Sequence, residues 1–418
     1  MASLVPFRAL RPVPAAARHV AAVPYDVVTT EEARALAAGN PLSFLHVSRA
    51  EIDLPQLTDP HSPSVYATAA DRFEALKRDA PLVREETPSL YLYRLRVGAH
   101  EQVGTAGCYA LDEYDRDIIK KHERTRRDKE DDRTTHMIAL RAQTGPVFLT
   151  YRASADVDAV ARDVMREDPL VDFTAADGVQ HTMWRVPSRD EGPLVSAFQH
   201  VPALYIADGH HRAASAARAR QTLRQQEQET SAGAVATAVA AQVRPFDSFL
   251  GVAFSDTQVR ILSYNRAVKG LNGLELDAFV NAVKQRFHVS PGTASPQRKG
   301  EIAMYVGNQW YALRARDQSG AEDAIAALDV SVLQDRLLDQ VLGIRDIRTD
   351  PRVEFIGGTR GTDALVKLVD DGRASVAFSM FPVSVTELMT ISDAGHIMPP
   401  KSTWFDPKLR DGLLIHEI

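Results

Sequence analysis

The run Ala207–Asp208–Gly209–His210–His211–Arg212 carries the densest chemical signal in the chain. An apolar stretch from Leu204 stops at Asp208, Gly209 permits a sharp turn, and an Ala-rich stretch begins at once. This reads as a strand passing directly into a helix. The first turn of a helix offers unpaired N–H groups and a partial positive charge, which suits a phosphate. Gly209, His210, His211 and Arg212 would surround a phosphate. Asp208 would accept a hydroxyl proton or hold a magnesium ion. A plainer description, an Asp cap with a Gly turn and surface histidines, fits the same residues, and residue types alone do not separate the two.

The second constellation is the charged run from Lys120 to His136. If it is helical, His122, Arg126, Lys129, Arg133 and His136 step by four, three, four and three, and fall on one stripe. Cations gathered on one face are an anion-binding geometry, so Arg126, Lys129, Arg133 and His136 would clamp a phosphate or a substrate carboxylate. Glu123 and Glu130 border the stripe. Glu123 and Glu51 join Asp208 as candidate catalytic carboxylates, with Asp26 a further one. The alternative is a solvated helix laced with i,i+4 ion pairs.

Two weaker candidates follow. Phe355–Ile356–Gly357–Gly358–Thr359–Arg360–Gly361–Thr362 is a second glycine-rich turn before a helix, and it lacks the Gly-Lys-Ser/Thr ending of a Walker A loop. The tail from Met398 to Arg410 is held extended by Pro399, Pro400 and Pro407. It presents Lys401, Ser402, Thr403, Lys408 and Arg410, either over a ligand, along a dimer interface, or simply as a strap on the core.

From VPYDVV (23–28) through NPLSFLHVSRAEID (40–53), YIADGHHR (205–212), ILSYNR (261–266) and IMPPKSTWFDPKLRDGL (397–413), the chain resembles the domain of unknown function 1015 family end to end. That resemblance implies no settled activity. The turn itself is similar to the nucleotide-binding turn of the ParB/sulfiredoxin superfamily, in which sulfiredoxins carry Gly-Cys-His-Arg and ParB proteins Gly-Glu-Arg-Arg. Free serine kinases of that superfamily carry an Asp-Gly-His-x-Arg-like turn, the nearest to Asp208–Arg212. His210 stands where sulfiredoxin has its nucleophilic cysteine, and Cys108 is far away in sequence, so cysteine-based repair is disfavoured. The acidic balance and the lack of a helix-turn-helix disfavour DNA partitioning. The resemblance therefore implies a small-molecule phosphotransferase, with free L-serine as the leading acceptor, ATP or ADP as donor, and Mg2+. A metal-dependent phosphohydrolase and a non-catalytic nucleotide sensor are the competing readings.

These residues need elements to position them, and alternating strand and helix patterns supply them. Leu90–Val97, Val103–Leu111, Val147–Tyr151, His181–Val186 and Ala203–Ala207 read as strands, as does the short run Ser43–Val47. Thr29 and Thr30 precede a capped helix, Tyr66–Arg78 has helical spacing, the charged run predicts a helix from about Asp115 to Arg141, and another runs from the turn to about Glu229. In the second half, Phe249–Phe254 and Gln258–Leu262 read as strands, Ile302–Val306 and Trp310–Leu313 as a hairpin across Gly307–Asn308, and Val330–Leu342 as a helix. The fold class is α/β, or mixed α+β, with mixed sheets around a ParB/sulfiredoxin-like nucleotide-binding core and a second α/β lobe. The expected division is a site-bearing lobe at 1–230, a connection at 231–247, and a second lobe with a C-terminal strap at 248–418.

At 418 residues the chain exceeds one ordinary core. A net charge of −6 gives no global attraction to nucleic acid or anionic membrane, so any anion site must be a local concentration of basic residues. The single cysteine excludes an internal disulfide and suits a reducing compartment. The longest small-apolar stretch, Ala234 to Ala241, is far below the roughly 20 residues of a membrane span. A cytoplasmic protein acting on a small molecule is expected, with no nucleic-acid or membrane partner and with homo-oligomerisation open.

Overall fold

The computed structural model describes residues 2–56, 58–79, 82–231, 244–317 and 323–418. The chain divides into two compact units, one built from Met1–Lys121, Thr125–Val259 and Pro407–Ile418, the other from His122–Arg124 and Arg260–Asp406.

The first unit is built on a nine-stranded mixed sheet. Its order is Ile119–Lys120, Leu204–Asp208, Val147–Tyr151, Ser248–Ser255, His100–Ala110, Tyr91–Val97, Gln180–Arg185 and Val171–Thr174, with Leu4–Val5 beside His100–Ala110. Two pairings are parallel, Leu204–Tyr205 with Ile119–Lys120 and Gly251–Ser255 with Val147–Tyr151. The mixed sheet expected from alternating elements is therefore found. Ser248–Ser255 is buried along its whole length between two neighbours, which explains its unbroken apolar sequence. Because that strand sits inside the first unit's sheet, the division does not fall at 231–247. The first unit continues to Val259 and takes back Pro407–Ile418. The stretch 234–241 lies outside the described residues, and no helix among the described residues is long and apolar enough to cross a membrane.

Two helices frame the candidate site, Arg127–Leu140 and His210–Ser231, and they pack on each other. Small buried side chains at Ala213, Ser215 and Ala216 let the second helix lie close, and Ser215 Oγ donates to the Glu130 carbonyl at 3.2 Å. Arg218 pairs with Glu130 at 3.2 Å across the same contact.

The first helix is shorter than the charged run predicts. Leu111–Asp115 makes a single turn, Asp117 adopts a left-handed φ of 58°, and Ile119–Lys120 is spent as an edge strand. Only then does the helix begin, so His122 and Arg126 are not on it. Ser43–Val47 is likewise not a strand: Leu45–Ser48 is a short helix, with Leu45, Val47 and Ser48 buried. A brief apolar run fits either period, and packing decided it. Ser188–Gln199, a helix disguised by Gly192 and Pro193, went unread in the sequence. The capping box expected near Thr29 is present, with Glu32 N donating to Thr29 Oγ1 at 3.2 Å and Thr29 N donating to Glu32 Oε2 at 2.8 Å.

The second unit carries a six-stranded antiparallel sheet in the order Phe287–Pro291, Gln309–Ala315, Ile302–Val306, Val376–Ser379, Tyr264–Val268, Val353–Gly357. The hairpin across Gly307–Asn308 forms, with φ of 58° and 59° as the turn requires. The helix expected at Val330–Leu342 is two pieces, Asp329–Leu333 and a π-helical Gln334–Asp339. The second glycine turn has a packing explanation. A Cβ on Gly357 would strike the Trp404 ring, and one on Gly358 would strike Leu262 and the Ser263 backbone.

Candidate functional site

The strand Leu204–Asp208 ends where the sequence predicts, and Gly209, at φ 96°, turns the chain into the helix that starts at His210. Arg212 does not project into solvent. It folds back under the turn, only 8% exposed, and donates to Asp208 Oδ2 at 2.9 Å and to the Pro146 carbonyl. A Cβ on Gly209 would lie 2.9 Å from Arg212 Nε, so glycine serves both the backbone angle and the side chain beneath it. Burial opposes the charge on Arg212, yet Asp208, Asp26 and Asp411 outweigh it and hold the guanidinium firmly protonated.

Asp208 faces cations through both oxygens, Arg212 at Oδ2 and Lys408 Nζ at 3.5 Å from Oδ1. A carboxylate so placed orients an arginine, and the setting fits neither a free proton acceptor nor a divalent-cation ligand well. His210 is buried, and that burial pushes it down to about 3, so it is a neutral imidazole and no cation. His211 Nε2 accepts the Arg126 backbone N–H at 3.0 Å, which assigns its proton to Nδ1.

The charged run contributes fewer groups than its stripe promised. Arg126 precedes the helix, and its side chain turns outward to Asp128 at 2.7 Å. Lys129 is half-buried. Arg133 points inward: its guanidinium lies 4.2 Å over the Tyr25 ring and donates to Asp132 at 2.8 Å and to the Ser48 carbonyl at 3.3 Å. His136 donates from Nε2 to the Val47 carbonyl at 2.9 Å. Burial, then the Arg133 charge, pushes His136 down to about 4, so it too is neutral. Glu51 is committed to Arg49 at 2.9 Å and to Thr30 Oγ1 at 3.3 Å. His122 and Glu123 group with the second unit, where the His122 carbonyl accepts from Met398 N at 2.8 Å.

Arg133 and Arg212, far apart in sequence, line one cavity of about 40 Å3 in the first unit. Tyr25, Ser48, His136 and Asp411 line it with them. Tyr25, Ser48 and Asp411 were not singled out by sequence reasoning, although the motifs VPYDVV, FLHVS and KLRDGL that hold them stood out. Asp411 is fixed by its backbone, its N–H donating to the Ala22 carbonyl at 2.9 Å and its carbonyl accepting from Ala22 N at 3.2 Å. Burial raises its carboxyl to about 7, with Arg212 and Arg133 pulling down and Asp26 pushing up. Three buried side-chain atoms on residues that line this cavity, Ser48 Oγ, Arg212 Nε and Asp411 Oδ1, have no hydrogen-bond partner among the described residues.

The model of a family described as "Protein of unknown function (DUF1015)" matches residues 4–331. The chain belongs to that family. No curated protein sequence matches this DUF1015 chain. Among solved structures it is similar to SbnI with a C-terminal truncation from Staphylococcus aureus, at 14% identity over 73% of this chain and 85% of that one, with a TM-score of 0.38. It is similar to a free serine kinase in complex with AMP, at 14% identity over 73% and 91% of the two chains and a TM-score of 0.35. A conserved hypothetical protein from Pyrococcus furiosus shares 16% identity over 74% and 94%, with a TM-score of 0.34.

Proposed function

We propose that this DUF1015 protein is a phosphotransferase that moves a phosphoryl group from a nucleotide, ATP or ADP, to a small hydroxylated metabolite, with free L-serine the first acceptor to test. The observation that carries the reading is the convergence of Arg133 and Arg212 on one cavity beside a helix N-terminus. Phosphoryl transfer requires chiefly positioning and charge neutralisation, and buried guanidiniums held by Asp132 and Asp208 supply both. The likeness of the Asp208–Arg212 turn to that of the serine kinases points the same way. About 40 Å3 accepts one oxyanion-sized group, so nucleoside and acceptor lie outside the cavity.

The roles then divide as follows. Backbone N–H groups at Gly209–Arg212, with Arg212 and Arg133, hold phosphate oxygens. The acceptor oxygen attacks phosphorus in line, its proton goes to a carboxylate, and the bridging oxygen of the nucleotide leaves with the bonding pair. Asp208 and Glu51 are committed to cations, so Asp26, exposed and within electrostatic reach of Arg212 and Asp411, is the first carboxylate to test as the proton acceptor, with Glu123 the next. Magnesium enters the proposal as the counter-ion of the nucleotide phosphates and not as a ligand of Asp208.

The test is incubation with ATP, ADP or CTP and magnesium against a panel of hydroxylated metabolites including L-serine, with phosphorylated products read by mass spectrometry. Arg212→Ala should weaken nucleotide affinity by about 1.5–3 kcal/mol. If no acceptor gains phosphate while nucleotide still binds, the protein is a nucleotide-binding sensor and the phosphotransfer reading is lost.

A further inference from the structure

A second pocket in the first unit, of about 350 Å3, is lined by the helix Ala155–Val164 and by residues of the sheet. It shares no lining residue with the cavity at Arg212. Val147 lines that one and Tyr151 this one, at opposite ends of one strand. The sheet itself leaves the room. Ser248–Ser255 stops pairing with His100–Ala110 at Phe254 opposite Gly104, and the neighbouring Val103 N–H goes to a side chain, Gln258 Oε1, at 2.8 Å. Leu92 and Val157 are buried in the pocket wall, whereas Val103, Ala161 and Met165 are only partly buried there. A volume in the range of roughly 300–1,000 Å3, mostly apolar walls and a few polar groups are the attributes of small-molecule sites. The charged groups on this wall have both signs. Glu101 is balanced by Arg94 at 3.8 Å. Asp158 and Arg162 stand four residues apart on the helix with the acid first, the spacing and order at which such a pair usually closes. Neither forms an ion pair among the described residues, and both line the pocket. After burial itself, the Asp158 charge is the largest influence raising the Tyr151 phenol, so its field reaches the buried side of the pocket.

We propose that this pocket binds a free α-amino acid with an apolar side chain, its ammonium group on Asp158, its carboxylate on Arg162 and its side chain against Val103, Ala161 and Met165. An acid and a base held apart on one wall are complementary to a ligand that carries both charges close together. A simple amine or a simple acid would satisfy one of them and leave the other, and a peptide terminus likewise brings a single charge. The partly buried apolar wall selects the side chain, because a polar one would leave that surface in water. L-Serine, the acceptor proposed for the turn, lacks such a side chain, so occupation of this pocket is independent of phosphoryl transfer.

Isothermal titration of the full chain with L-leucine and L-phenylalanine tests it. The amide of each, which lacks the carboxylate, and the deaminated acid of each, which lacks the ammonium, serve as controls. At least one of the two amino acids should bind, and both of its controls should bind about tenfold more weakly, the scale of one lost charge-assisted contact. Asp158→Asn and Arg162→Gln, with unchanged circular dichroism, should each weaken that amino acid by about tenfold. L-Serine in excess should not displace it. Binding of neither amino acid, a control that binds as tightly as its parent, unchanged binding in either variant, or displacement by L-serine would each overturn the proposal. Phosphorylated product in the metabolite panel without amino-acid binding here would remove this pocket and leave the phosphotransfer reading. Binding here without any phosphorylated product would do the reverse.

Discussion

Arg212 Nη2 lies 2.9 Å from Asp208 Oδ2, across the glycine that makes the turn. The carboxylate with the strongest sequence signal thus holds an arginine in place, and the arginine reaches the cavity. Asp208→Asn should loosen Arg212 and forfeit the Lys408 pair. Stability should fall by about 1–2 kcal/mol, and phosphate or nucleotide affinity should drop together with any turnover. If product formation alone fell by about 10²-fold with binding intact, Asp208 would be the proton acceptor after all.

Gly209 tests the turn from the backbone side. Gly209→Ala places a Cβ at φ 96° and 2.9 Å from Arg212 Nε. Denaturant unfolding should show a loss of about 1–3 kcal/mol, and anion binding should weaken even where the protein stays folded, because Arg212 must move. Unchanged binding would separate the arginine from the site.

The histidines set the acid limit of stability. His136 is pushed down to about 4 and His210 to about 3, against an ordinary 6.5. Between those values the unfolded chain binds protons that the folded chain refuses, so stability rises with pH across the window. The contribution is complete above about 6.5 and is lost as pH falls towards 4, by about 2–3 kcal/mol for each group. His136→Gln keeps a donor for the Val47 carbonyl and should flatten the slope of the urea midpoint against pH between about 4.5 and 6.5.

Asp411 acts with the opposite sign. Its carboxyl is raised to about 7, so the folded state keeps a proton that the unfolded state has released. Its contribution is present at low pH and is lost as pH rises through 7. Asp411→Asn removes that loss and should stabilise the empty protein at about pH 8 by roughly 2–4 kcal/mol. A stability gain would mark a residue kept for a reason other than folding. A stability loss would mean that the carboxylate is paired in solution.

The local chemistry of the turn was legible in the sequence. Leu204–Ala207, Asp208–Gly209 and the alanines after Arg212 each specify their own backbone, because an apolar strand, a left-handed turn and a helix have distinct residue requirements that depend on near neighbours. The same holds for the Thr29 cap and the Gly307–Asn308 hairpin. The stripe from His122 to His136 was half legible. Its spacing assumed one helix, whereas the run carries no glycine or proline to reveal that Asp117 turns left-handed and that Ile119–Lys120 is drawn off to pair with Leu204–Tyr205. Only the tertiary structure determined which cations matter, since burial and not sequence spacing sends Arg133 inward over Tyr25, leaves Arg126 in solvent, and strips His136 and His210 of charge. Asp411 was the least legible of all. A carboxylate acquires its chemistry from the dielectric and the charges around it, and those arrive from Arg133, Arg212 and Asp26, segments that the sequence holds hundreds of residues away and that folding of the first unit brings to one cavity.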